Sequence, residues 1–116
     1  MSNFKGGYLE RGGVLGKLRK EVVLAADNTV VNVTGITYLS LGSDNTTAAN
    51  RTFTLTPGDV MGHELTLIFQ TAASTTAQLA ASGNAKLSAA WEPTQYDSLR
   101  LSWDGTYWVE VSRSDN

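Results

Sequence analysis

The chain has 116 residues, 41% of them hydrophobic, no cysteine and a formal net charge of −2. These figures leave room for one domain with one core and exclude a disulfide framework, a thiolate zinc site and a cysteine nucleophile. No run approaches the ~18 apolar residues that cross a bilayer, and no apolar run follows Lys5 and Arg11 as a signal peptide would require, so no membrane partner is expected and the chain reads as made in a cytoplasm.

Residues 1–20 carry Lys5, Arg11, Lys17, Arg19 and Lys20 against Glu10 alone, a net +4, whereas residues 21–116 hold four basic and ten acidic residues, a net −6. Five of the 11 glycines also fall in residues 1–20. Glycine loses the most backbone freedom on ordering, so the spacing predicts an extended arm that orders on a partner surface. Its expected contacts are Phe4, Lys5, Tyr8, Leu9, Arg11, Lys17, Arg19 and Lys20, with Val14, Leu15 and Leu18 as further apolar anchors. The alternative is an arm that packs on its own domain or frays. Nucleic acid is not an expected partner, because the acidic body repels phosphate and the cations are interrupted by glycine.

From residue 21 a helical period never appears, and short β-branched and aromatic runs recur between turn residues. In chain order the expected strands are 21–25, 29–33, 36–41, 51–56, 64–69, 76–80, 85–89, 98–103 and 107–112. The first two are parted by Asp27-Asn28, and a polar loop runs from Gly42 to Asn50. In the fourth, Phe53 and Leu55 share a face; in the fifth, Leu65, Leu67 and Phe69 do so, after a Pro57-Gly58 turn. Residues 72–81 are rich in alanine, which favours helix, but their threonines favour a short strand flanked by loop. Ser82-Gly83-Asn84 separates the next two runs. Leu99, Leu101 and Trp103 share a face, and Asp104-Gly105 then signals a hairpin into Tyr107 and Trp108. The expected fold is all-β: a β-sandwich or jelly-roll-like domain over 21–116, with about eight to nine short antiparallel strands and the N-terminal arm at 1–20.

Residues suited to catalysis are sparse. His63 is the one histidine, no serine lies in a Gly-x-Ser-x-Gly elbow, and no Asp-x-Asp-x-Asp-Gly spacing marks a calcium loop. No catalytic residue, metal or cofactor is expected, and the chain reads as a binding protein rather than an enzyme. Trp91, Tyr107 and Trp108 are candidates for stacking on a sugar, or for the core or an interface between copies.

The stretch Arg51-Thr-Phe-Thr-Leu-Thr-Pro-Gly-Asp-Val-Met-Gly-His-Glu-Leu-Thr-Leu-Ile-Phe69 and the ending Asp97-Ser-Leu-Arg-Leu-Ser-Trp-Asp-Gly-Thr-Tyr-Trp-Val-Glu-Val-Ser-Arg-Ser-Asp-Asn116 resemble small β-domains of tailed-bacteriophage virion proteins. Such domains occur in head-decoration (cement) proteins and in fibre proteins. The resemblance covers most of residues 36–116 and implies a structural virion protein on the capsid surface, often a homotrimer, with the major capsid protein and itself as partners. A fibre or spike protein, or a sugar-binding adhesion module, is the alternative. The chain shows no heptads and no internal sequence repeat, which favours decoration over a fibre shaft.

Overall fold

The computed structural model describes residues 18–44, 51–72 and 77–116. Nine strands form, and no helix is present among the described residues. They are β1 Arg19–Leu24, β2 Thr29–Val31, β3 Tyr38–Ser43, β4 Arg51–Leu55, β5 Glu64–Phe69, β6 Ala77–Leu79, β7 Ala85–Lys86, β8 Ser98–Trp103 and β9 Trp108–Ser114. A six-stranded sheet has the order β1-β3-β5-β8-β9-β7, and a three-stranded sheet the order β2-β4-β6. The Ala/Thr-rich segment contributes the short strand β6; residues 73–76 and the loop at 45–50 lie outside the described residues. The strand β1 starts at Arg19, so Arg19 and Lys20 belong to the sheet and not to the arm.

The antiparallel expectation is corrected. Among the described residues, five of the seven strand pairings are parallel: β1 with β3, β3 with β5, β2 with β4, β4 with β6, and β7 with β9. Only β5 with β8 and β8 with β9 run antiparallel. The cause lies in the path of the chain. It passes to the other sheet after each of the first six strands, and each of β1 to β4 lies beside the next strand but one, which runs the same way. Three such turns stack on one another. Alternation along a strand is identical in either direction, so a period of two reports which face is buried and not which neighbour is paired.

Register carries the core. Leu39, Leu67 and Leu99 align across β3, β5 and β8, as do Leu41 with Phe69 and Leu65 with Leu101. In the smaller sheet Val31 aligns with Leu55, and Phe53 with Leu79. All are buried, and both sheets contribute to a single apolar cluster with Leu24, Val33, Trp91, Trp103 and Trp108. Taking apolar surface out of water, at about 25 cal/mol for each Å² buried, drives this assembly.

The two ends of the stack differ. After the third turn, β5 is covered by β8, and β6 by an antiparallel bridge in which the Leu79 and Trp91 main chains exchange two hydrogen bonds of 2.9 Å. At the first turn, β1 and β2 are the terminal strands of their sheets, and among the described residues no strand pairs with their outer sides. The charged run Arg19-Lys20-Glu21 stands on that edge, a device that discourages indiscriminate strand pairing.

Candidate interaction surface

The hairpin between β8 and β9 pairs Trp103 with Trp108. Their rings meet edge to face at 5.3 Å, and the His63 ring meets Trp108 at 5.0 Å. The Trp108 indole Nε1–H donates to the Thr56 carbonyl at 2.9 Å, so the hairpin is fastened to the turn that follows β4. At its tip, Asp104 N–H donates to the Tyr107 carbonyl, and Asp104 Oδ1 accepts from the Thr106 and Tyr107 amides at 2.8 and 2.7 Å. Those amides, Tyr107 first, hold the Asp104 carboxyl below its ordinary range. Gly105 has φ +103° and Thr106 has no positive φ, so the tip is not the turn with two left-handed residues.

His63 is buried, and both its ring nitrogens are engaged. Nε2–H donates to the Ile36 carbonyl at 2.6 Å, and Nδ1 accepts from the Asp59 amide at 3.0 Å. These partners assign the neutral Nε2–H tautomer and make the side chain a structural tie between the turn before β5 and the turn before β3. Among the described residues no three His, Asp or Glu side chains gather closely enough to hold a metal ion. Asp97 is buried with both carboxylate oxygens engaged, accepting from the Thr94 amide and hydroxyl and from the Asn116 amide. Glu110 accepts from Arg113 at 2.7 and 2.8 Å and from the Ser88 amide at 2.9 Å; the Arg113 guanidinium foremost brings its carboxyl down to about 2.

Six of the residues expected to contact a partner, Phe4, Lys5, Tyr8, Leu9, Arg11 and Lys17, lie outside the described residues. The other two differ in their surroundings. Arg19 is exposed, with Nη2 2.7 Å from Glu21. Lys20 sits on the register row of the buried Leu39 and donates from Nζ to the Asn32 carbonyl at 2.8 Å, so it anchors β1. Of the aromatics considered for sugar stacking, Trp91 and Trp108 are buried in the core and offer no platform. Tyr107 is partly exposed, with Lys86 Nζ 4.4 Å from its ring centre.

Val60 and Met61 do not stand out in the sequence, yet they are exposed at 67% and 77%, in the turn between Gly58 and Gly62. A signal exists: two apolar residues enclosed by turn formers, off the period of either flanking strand. No protein-family model matches the chain, and no curated protein matches it in sequence.

Proposed function

We propose that the protein is a structural component of a tailed-phage virion that decorates the capsid and attaches through its N-terminal segment. The observation that carries this reading is the asymmetry of the stack. One end is covered by β8, β9 and the Trp91 bridge and finishes in the two-residue β7, and the other leaves two neighbouring strand edges open where the N-terminal segment joins. Open edges next to the N-terminal segment suit attachment by main-chain pairing along a partner surface. The resemblance of residues 36–116 to virion β-domains supplies the class of partner. The two sheets sharing one apolar core agree with it, and a β-sandwich domain that self-associates as a homotrimer is part of the proposal.

The test is co-sedimentation of the full chain and of residues 18–116 with undecorated capsids across a salt series. The full chain sediments with the capsids and dissociates as salt rises; the shortened chain, soluble and retaining its β-sheet circular dichroism, stays in the supernatant. Equal binding by both would overturn attachment through the segment.

One observation favours a fibre role as the second reading. The backbone repeats three times even though the sequence does not, and stacked turns are how shaft-like β structures extend. Negative-stain images of virions labelled with antibody to this chain separate the two: label over the shell lattice for decoration, at the tail for a fibre.

A further inference from the structure

The turn from Pro57 to His63 is held rigidly while presenting its two largest apolar side chains to solvent. Asp59 Oδ2 accepts from the Gly35 amide at 2.8 Å, and the Asp59 amide donates to His63 Nδ1. The Gly62 amide donates to the Trp103 carbonyl at 2.8 Å, and His63 N–H donates to the Val60 carbonyl at 2.9 Å. A side chain begun at Gly105 would lie 3.6 Å from the Met61 methyl, so the exposed pair sits against the β8–β9 hairpin tip. A floppy loop can turn apolar groups inward; this one is fixed with Val60 and Met61 outward, as a preorganised contact surface is. Acidic residues occupy the turn and the elements beside it, Asp59 in the turn, Glu64 at the start of β5 and Asp104 in the hairpin tip, while Lys86 Nζ lies over the Tyr107 ring.

The N-terminal segment enters the fold at this same end. Leu18 N–H donates to Thr37 Oγ1 at 3.1 Å, and Thr37 N–H returns a bond to the Leu18 carbonyl at 3.0 Å. The residue before Thr37, Ile36, is the acceptor of the His63 imidazole. Residues 1–17 carry Lys5, Arg11 and Lys17 against Glu10, and intersperse Phe4, Tyr8, Leu9, Val14 and Leu15. Seventeen residues reach at most ~60 Å when extended, so length sets no obstacle.

We propose that residues 4–15 dock on the tip formed by Val60 and Met61 in their own chain, with apolar side chains covering that pair and basic ones facing Asp59, Glu64 and Asp104. The attachment segment is then parked on its own domain and is released when a partner surface competes for it. Docking does not depend on what that partner is, so it stands or falls apart from the capsid reading.

The experiment uses the full chain with a photo-crosslinking amino acid in place of Met61. Irradiation and peptide mass mapping are expected to join position 61 to a residue between 4 and 15, with the product at the mass of one chain. Crosslinks that join two chains, or none to residues 4–15, overturn the proposal. A second measurement follows trypsin cleavage at Lys5, Arg11 and Lys17. The V60S/M61S variant, altered only at exposed positions, is expected to be cut about fivefold faster at low salt. The unaltered chain is expected to approach the variant's rate as salt screens the contact. Identical cleavage rates in the two proteins at low salt overturn the proposal as well.

Discussion

Gly58 lies so close to Trp103 that a Cβ built on it would fall 2.7 Å from the indole Cδ2 and closer still to Cγ. The glycine of the Pro57-Gly58 turn is therefore required by a neighbour and not by its own backbone angle, since its φ is not among the positive ones. Gly58→Ala is expected to cost about 2–3 kcal/mol by overpacking. Trp103→Ala is expected to cost about 3–5 kcal/mol through the cavity it leaves. The double variant should cost clearly less than the two together, because the clash disappears with the ring. Chemical denaturation of the three variants checks this, and strict additivity would mean that Gly58 is constrained by something other than Trp103.

Gly105 presents the opposite case. The nearest group to a side chain there is the Met61 methyl at ordinary contact distance, but φ is +103°. Gly105→Val is thus expected to destabilise by about 1–3 kcal/mol through backbone strain alone. A melting temperature equal to that of the parent protein would place the hairpin turn differently.

Glu110 predicts an acid limb of stability. Its carboxyl is brought from the ordinary 4.5 to about 2, chiefly by the hydrogen-bonded Arg113, so the folded state holds the charged form more tightly than the unfolded chain does. The contribution is complete above pH 4.5 and is lost as pH falls through 2. Glu110→Gln should lower stability by about 2 kcal/mol at pH 7, and by progressively less as pH falls from about 4.5 to about 2. Urea titrations at several pH values test it; a difference independent of pH would remove Arg113 as the cause.

Lys20 and the more N-terminal cations should separate in their effects. Lys20→Ser removes the bond to the Asn32 carbonyl and is expected to lower the melting temperature. Lys5→Ser, Arg11→Ser and Lys17→Ser together are expected to lower it by less than Lys20→Ser does, weaken capsid co-sedimentation and flatten its salt dependence. A larger loss of stability in the triple variant than in Lys20→Ser, or undiminished binding, contradicts the assignment.

The buried faces are readable residue by residue: Phe53 and Leu55, the Leu65–Leu67–Phe69 row, and Leu99, Leu101 and Trp103 are all buried as their alternation requires. The path of the chain is not. Arg19, Tyr38 and Thr66 stand in register at steps of 19 and 28 residues, and Thr29, Phe53 and Leu79 at steps of 24 and 26. Unequal loops absorb the difference, so no fixed period marks the three turns. Nor does composition reveal that Lys20 stands on the row of Leu39. A lysine at the head of a strand reads as solvent-facing until the carbonyl that receives it is placed, and Asn32 lies in the following turn of chain. Trp91 and Trp108 are ambiguous in sequence because an aromatic beside polar residues fits a sugar platform and a core equally well. The Leu79 bridge and the Thr56 carbonyl resolve both toward the core.

A stack with one finished end and one unfinished end has polarity. Units bearing a socket on one side and a plug on the other polymerise without limit. Here β8 and the Trp91 bridge cover the far side of the third turn and leave only the two-residue β7 at the other margin of the larger sheet, so strand addition is favoured at β1 and β2. On the proposed reading, that bias suits a single-layer coat better than the growth of filaments.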